Sequence, residues 1–296
     1  KEHLEGINFK ALATKKYDNE ESIYSNLNIQ YCEPELREGL FELEKAKNNQ
    51  LPKLVELSDL KGILHNHSTY SDGMNTLEEM AVYCKQLGYQ YLGICDHSKT
   101  ASYAGGLKVE TVLLQQQEIE KLNKQLFPFK IFKGIESDIL GNGDLDYEED
   151  ILKTFDFIVA SVHANLKMDE EKATTRLIKA IENPYTTILG HPTGRLLLGR
   201  PGYPIDHKKI IDACAANKVV IELNAHPYRL DIDWRWIPYC LEKGVMISIN
   251  PDAHQLKGYH DMRYGTYVAR KGLLTKDNCL NAMDLNTFEN YLSTKK

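Results

Sequence analysis

A chain of 296 residues that is 42% hydrophobic is long enough to bury one large core or two small ones. Its formal charge of −6, from 36 Lys and Arg against 42 Asp and Glu, argues against a broad cationic footprint on nucleic acid, where affinity comes from neutralising phosphates. No apolar run approaches the roughly 20 residues that span a bilayer, and no apolar signal region opens the chain, so a cytoplasmic protein without a membrane partner is expected.

In chain order, Pro34 suits a helix start, Glu33 to Lys47 is rich in helix formers, and Asn48-Asn49-Gln50-Leu51-Pro52 breaks it. Too few apolar residues remain in 1–58 for a core of its own. From there one grammar repeats: a short apolar run, read as a buried parallel strand, ends in polar residues. Gly62-Ile63-Leu64 leads to His65, Leu92-Gly93-Ile94-Cys95 to Asp96 and His97, and Ile131-Phe132-Lys133-Gly134-Ile135 to Glu136. Phe157 to Val162 leads to His163, Thr187 to Gly190 to His191, Val219 to Ile221 to Glu222 and Asn224, and Met246 to Ile249 to Asn250, Asp252 and His254.

Helices are expected between these runs. Thr76 with Glu79 forms a capping box and Gly88 a stop; 109–126 holds neither Pro nor Gly; 170–182 stops before Pro184. Asp206 caps 207–216, 234–242 precedes Gly244, and Asn286 with Glu289 caps a terminal helix. The first polar residues after successive strands, at 97, 136, 163, 191, 222 and 252, are spaced by about one βαβ repeat of ~30 residues. A parallel sheet whose first and last strands serve one cluster is more easily closed than open, because strands lie roughly 4.8 Å apart. The expected fold is α/β, a distorted seven-stranded (β/α) barrel behind an N-terminal helical linker. Gly105-Gly106 and Gly141-Asn142-Gly143 lack the strand and helix that a nucleotide-binding fingerprint needs. The six cysteines, at 32, 84, 95, 214, 240 and 279, form no C-x-x-C pair and read as buried free thiols.

Nine strand-end residues are candidate metal ligands: His65, His67, Asp72, His97, Glu136, His163, His191, Asp252 and His254. A lone histidine is usually a core or surface residue, and His3, His207 and His260 are read so. His65-Asn66-His67 differs, because alternation along an extended segment points both imidazoles to one side. Two or three divalent cations there would reverse the local sign that the acids set.

With Ser71-Asp72-Gly73, Asp96-His97-Ser98, Gly190-His191-Pro192 and Pro251-Asp252-Ala253-His254, the pattern resembles the polymerase and histidinol phosphatase (PHP) family from about Asp59 to Leu280. It is most similar to the C-terminal PHP domain of bacterial family X DNA polymerases, through Glu136-Ser-Asp-Ile-Leu, Gly190-His-Pro-Thr-Gly-Arg195, Glu222-Leu-Asn-Ala, Pro227-Tyr-Arg229-Leu-Asp and the linker-like Pro34-Glu-Leu-Arg-Glu-Gly39. The resemblance implies 1–58 as the trailing end of an upstream polymerase-type module and 59–296 as a metal-dependent phosphoesterase domain. It further implies three metals: His65, His67, Glu136 and Asp252 around the first; Glu136, His163 and His191 around the second; Asp72, His97 and His254 around the third. Mixed nitrogen and oxygen ligation suits Mn²⁺, Zn²⁺ or Fe²⁺ better than Ca²⁺.

Water activated by the metals is the expected nucleophile, with Glu136 bridging two metals. Arg195 and Arg229 are the expected phosphate clamps, with Lys99 a weaker candidate and His226 a possible lining residue. The implied reaction is hydrolysis at DNA 3′ ends, as exonuclease or 3′-phosphatase, in partnership with an upstream polymerase module. The first 58 residues lack the paired aspartates of a nucleotidyl-transfer site, so no polymerisation is expected. Rival readings are a histidinol-phosphatase-like enzyme acting on small phosphate esters, and a metal-stabilised docking module without activity. An amidohydrolase would want a lysine where this chain has His163.

Overall fold

Seven apolar runs become eight strands, because the run from 130 to 138 is divided between two sheets. In the computed structural model, which describes residues 1–295, the strands are β1 (Gly62–Ile63), β2 (Tyr91–Ile94), β3 (Lys130–Lys133), β4 (Glu136–Asp138), β5 (Val159–Ser161), β6 (Ile188–Leu189), β7 (Val220–Asn224) and β8 (Ile247–Asn250). They form two parallel sheets, ordered β1-β2-β3 and β4-β5-β6-β7-β8, rather than one closed seven-stranded barrel. The division falls at Gly134, where an added Cβ would lie 2.5 Å from the Ile94 carbonyl oxygen and 2.6 Å from the Phe157 ring. Past this tight spot the chain leaves β2 and pairs with β5. Isolated parallel bridges, His97 to Glu136 at one seam and Asn66 to Ala253 at the other, draw the sheets together at the C-terminal ends of their strands.

Successive strand residues enter different cores, the period of two that a strand imposes. Ile63, Leu92, Ile94, Ile158, Leu189 and Ile221 pack with the surrounding helices, whereas Leu64, Tyr91, Cys95, Phe157, Val159, Ile188 and Val220 form an inner cluster. Both faces being buried explains why the runs read as continuous apolar stretches. The inner cluster is closed by the terminal helix Leu285–Lys295, whose Phe288 stacks on Tyr91 with ring centroids 4.7 Å apart. Burying Phe288 and Leu292 there contributes about 1.5–3 kcal/mol each.

The helices start and stop largely where local chemistry dictates. Leu77–Gln86 carries the Thr76 and Glu79 capping box and is followed by Gly88 at φ +89°. Val109–Leu126 runs as one element, Glu170–Ile181 is capped by Asp169, and His207–Asn217 by Asp206. Two details differ from expectation. The terminal helix is capped by Asp284, which accepts from the Thr287 amide at 2.8 Å, while Glu289 pairs with Lys130. The helix expected over 33–47 is cut into a 3₁₀ turn (Pro34–Leu36) and Glu42–Lys47, because Gly39 takes φ +76° and the Glu42 carboxylate accepts from the amides of Gly39 and Leu40.

Buried residues from Tyr24 to Leu54 form a small cluster that also takes in Leu273. His3 is buried beside it, bonded to Glu42 and to the Tyr24 hydroxyl at 2.8 Å each. His207 stacks on Trp236 and His260 bonds Tyr83. All six cysteines are free and buried. No helix among the described residues is long and apolar enough to cross a membrane.

The attachment of the N-terminal segment centres on Arg270, which meets Glu35 at 2.7 Å, Glu33 at 3.3 Å and the Val55 carbonyl at 3.3 Å. Arg270→Ala is therefore expected to weaken this docking by about 1–2 kcal/mol. Hydrogen exchange should quicken across residues 20–47 and stay slow in β2, β5 and β7; equal acceleration in both regions contradicts the assignment.

Candidate metal centre

Six of the eight strands bring a polar side chain to one shared cluster. His65 follows β1, His97 follows β2, Glu136 opens β4, His163 follows β5, His191 follows β6, and Asp252 and His254 follow β8. His65 and Asp252 reach the rim with φ of +66° and +51°. Non-glycine residues in the left-handed region cost roughly 1–3 kcal/mol each and persist where the surroundings impose them. Asp72 arrives on a turn secured by buried Asp96, which accepts from the Ser68 amide (2.8 Å), the Ser68 hydroxyl (2.7 Å) and the Ser71 hydroxyl (2.5 Å). Asp96 thus supports the loop instead of entering the cluster.

Glu136 lies at the middle, 1% exposed. Its Oε1 is 3.0 Å from His191 Nε2 and 3.2 Å from both His65 Nε2 and His163 Nε2. Its Oε2 is 3.0 Å from His97 Nδ1 and 3.6 Å from His67 Nε2. Asp252 Oδ1 lies 3.1 Å from His67 Nε2. Asp72 Oδ1 is 3.3 Å from His254 Nε2 and 3.6 Å from His97 Nε2. All nine candidates are therefore in one place.

Donor atoms converge within 4.8 Å in three groups: His65, His67 and Asp252; His97, Glu136 and His163; His67, Asp72, His97 and His254. His67 and His97 each serve two groups, and His191 joins none of them, although it touches Glu136. Five buried atoms of the cluster have no hydrogen-bond partner: His65 Nε2, His67 Nδ1, His97 Nδ1, Glu136 Oε2 and His191 Nδ1. Buried polar groups are otherwise almost always satisfied. Unpartnered imidazole nitrogens facing carboxylate oxygens are the donor set that a divalent transition metal takes, so the residues fit such ions.

The electrostatics agree. Burial opposes ionisation of Glu136, yet the imidazoles of His163, His65 and His97 outweigh it and hold the carboxyl well below the usual range. Burial, then His97, pulls His67 down to about 3. His163 rises to about 10 because Glu136 and Asp138 overcome its desolvation. Protons on some imidazoles thus balance the buried carboxylates, and a divalent cation displaces such protons on binding.

Residues behind the cluster fix its imidazoles. Glu222 accepts from His65 Nδ1 at 2.6 Å and from the His191 amide at 3.0 Å, while Asn250 and Asn224 hold its two oxygens. Asp138 accepts from His163 Nδ1 at 2.6 Å. Both were legible in principle: Glu222 ends an apolar run, and Asp138, two residues along β4 from Glu136, shares its face. Tyr103 carried no sequence signal. It stands 71% exposed with its ring 6.3 Å from His97. Partial desolvation, followed by Asp138, Glu136 and Asp72, raises its hydroxyl above the usual phenol range, which keeps it a proton donor.

The three cations diverge. Arg229 faces the cluster, its Nε 3.3 Å from Asp252 Oδ2 and its buried Nη1 without a partner. Arg195 turns away, its guanidinium bonded to the Arg229 and Leu230 carbonyls and to Asp233 at 3.1 Å. Lys99 lies over the Tyr147 ring, 5.5 Å from its centroid. His226 lines a groove beside Arg229.

Comparison with known proteins gives concordant findings. The PHP domain family matches residues 64–226. The DNA polymerase/3′-5′ exonuclease PolX of Bacillus subtilis is 39% identical over 94% of this chain, which spans about half, 48%, of that protein's length. A probable phosphatase of a Thermoanaerobacter species is 30% identical over 80% of this chain and 97% of its own. Among solved structures, histidinol phosphate phosphatase from Lactococcus lactis, complexed with zinc, L-histidinol and phosphate, aligns over 72% of this chain and 93% of its own with a TM-score of 0.54 at 16% identity. A putative histidinol phosphatase from Listeria monocytogenes aligns over 67% and 97% with a TM-score of 0.55 at 15% identity. These two share the fold.

Asp138→Asn removes the negative charge of the acceptor that orients His163 while leaving its shape. Affinity for Mn²⁺ or Zn²⁺ is expected to fall about 10–100-fold in a chelator-competition titration. The rise in Tm on adding metal should shrink accordingly.

Proposed function

Because the chain belongs to the PHP domain family, whose members are metal-dependent phosphoesterases, we propose that it hydrolyses DNA 3′ ends, as a 3′-5′ exonuclease or 3′-phosphatase. In this reading residues 59–296 are the phosphoesterase part of a longer family X DNA polymerase, and residues 1–58 are the end of the module before it. The observation that carries the reading is the single cluster in which eight residues from strand ends and their loops gather with buried Glu136.

His65, His67, Glu136 and Asp252 are assigned to one metal, Glu136, His163 and His191 to a second, and Asp72, His97 and His254 to a third, with Mn²⁺, Zn²⁺ or Fe²⁺ as the ions. Bound there, such ions supply Lewis acidity toward phosphoryl oxygens and a water made acidic enough to attack at neutral pH. The chain's own groups then have definite tasks. Arg229 presents its free Nη1 to a phosphoryl oxygen, and Arg195 fixes the loop that carries it. Tyr103, whose ring lies 6.3 Å from that of His97, is the exposed hydroxyl-bearing residue beside the cluster that we assign to the substrate's edge. Glu222 and Asp138 hold His65 and His163 in one tautomer, so each presents Nε2 to the cluster. No serine, cysteine or threonine stands among the converged groups, in keeping with attack by water.

A second reading, a phosphatase of small esters, is favoured by the extent of the match to the probable phosphatase, nearly all of whose length is covered by this chain.

His67→Ala and Glu136→Gln are each expected to lower Mn²⁺-dependent cleavage of a 5′-labelled single-stranded oligonucleotide at least about a hundredfold. EDTA should abolish it in the parent protein. An oligonucleotide bearing a 3′-phosphate separates the two DNA activities, since loss of phosphate without shortening marks a 3′-phosphatase. Full activity in either variant would falsify the mechanism, and cleavage of small phosphomonoesters alone selects the second reading.

A further inference from the structure

Directly beside the metal centre lies a groove of about 390 Å³ lined on its polar side by Asp252, His254, Arg229 and His226, whose Nδ1 accepts from the Tyr228 amide. The rest of its lining includes Leu197, Leu198 and Tyr228. These are not side chains left loose on a mobile loop. Leu196 and Arg200 exchange backbone hydrogen bonds at 3.0 and 2.8 Å, closing a tight turn, and the Leu197 amide donates to the Tyr228 carbonyl at 2.6 Å. Arg195 ties the turn to the Arg229 carbonyl at 2.9 Å. The fold thus holds Leu198 fully exposed, at φ +62°, and Tyr228 59% exposed, both lining the groove beside the polar site. Exposed apolar groups in a strained, braced turn are a costly arrangement that folding alone does not call for.

Position narrows the occupant. A group on this shelf while phosphate is at Asp252, His254 and Arg229 lies within reach of a covalent link to that phosphate, since the groove and the centre share those residues. A small groove with an aromatic ring and two leucines suits a flat apolar face. The shelf offers few groups that could read the edge of a base. We infer that Leu197, Leu198 and Tyr228 form a stacking shelf for the nucleobase of the terminal nucleotide. This rests on the DNA-end reading and deepens it: the substrate is an unpaired 3′ end, taken with little base preference, because every base has a π-face and only an unstacked one can reach the shelf.

The test compares the parent protein, Tyr228→Ala and Tyr228→Phe in Mn²⁺ on three substrates: a single-stranded oligonucleotide, the same strand with an abasic 3′-terminal nucleotide, and glycerol phosphate. Tyr228→Ala is expected to lower the ratio of kcat/KM for the oligonucleotide to that for glycerol phosphate about tenfold, the order of one stacked base, through KM. Tyr228→Phe should restore it. The parent protein should lose about as much on the abasic end, and Tyr228→Ala should lose nothing further there. An unchanged ratio, or equal losses on intact and abasic ends in Tyr228→Ala, overturns the shelf.

A readout without turnover accompanies the kinetics. An oligonucleotide ending in 2-aminopurine should lose fluorescence on binding the parent protein and Tyr228→Phe, and keep it with Tyr228→Ala. If the parent protein cleaves glycerol phosphate but no oligonucleotide, the DNA-end reading fails. The shelf is then judged on a nucleoside 3′-monophosphate against glycerol phosphate: a preference lost in Tyr228→Ala retains it for a free nucleotide, and no preference ends it.

Discussion

One buried carboxylate sets the geometry of this molecule. Glu136 cannot be left ionised and unpaired in a nearly dry interior, because stripping water from a carboxylate costs several kcal/mol after every relaxation is allowed. It is instead met by imidazoles from the ends of β1, β2, β5 and β6, at 3.0–3.2 Å. Each of those strands must therefore end at the same height. Glu136 also stands where the chain passes from one sheet to the other, its amide bonded to the Asp96 carbonyl and its carbonyl to the Ser98 amide. A shift of one residue here turns the carboxylate to the opposite face and places Ile135 or Ser137 in the cluster.

Such a cluster contributes little to folding and needs support from below. The inner apolar cluster lies on the same strands, with Leu64 next to His65, Cys95 two residues before His97, and Phe288 packed on Tyr91. This apolar packing absorbs the cost of left-handed His65 and Asp252, while Glu222, Asn224, Asn250 and Asp138 settle the remaining polar atoms of the rim. The outer groups limit the freedom of the imidazoles more than their number suggests. A histidine whose Nδ1 is fixed by a carboxylate has one tautomer and one ring orientation left.

Much of this was legible in the chain. The alternation of apolar runs with helices gave the parallel α/β arrangement, and the capping residues Thr76 and Asp206 marked helix starts correctly. The histidines and acids at the ends of the runs are the residues that converge. What the chain could not display was three-dimensional closure. The break at Gly134 turns one apolar run into two strands in different sheets, and nothing in the pattern of side chains distinguishes that from a single long strand. The division of roles between two arginines was equally hidden: Arg195 and Arg229 have similar settings in sequence, yet one braces a loop and the other faces the acids. The roles of Glu222 and Asp138 required distances, because a supporting carboxylate and a ligand have the same sequence signal. The cut at Gly39 followed from Glu42 bonding the amides before it, a local competition that helix propensity does not weigh.

The charge of the chain then bears on what the centre can hold. At −6 overall, with its central acids met largely by histidines, the chain carries no net cationic excess to neutralise a long run of phosphates, and Arg229 faces Asp252 at 3.3 Å. A catalytic centre of this kind is indifferent to what lies beyond the ester, because its residues meet only the phosphoryl group. The strand ends can therefore be common to enzymes of quite different substrates, while discrimination falls to the loops that stand above them. In this chain those loops are 195–200 and 226–231, one braced on the other through Arg195 and Leu197. Their backbones are fixed by hydrogen bonds, so their side chains can change without disturbing Glu136 or the strands below. That arrangement leaves the rigid cluster intact while the groups standing above it are free to vary.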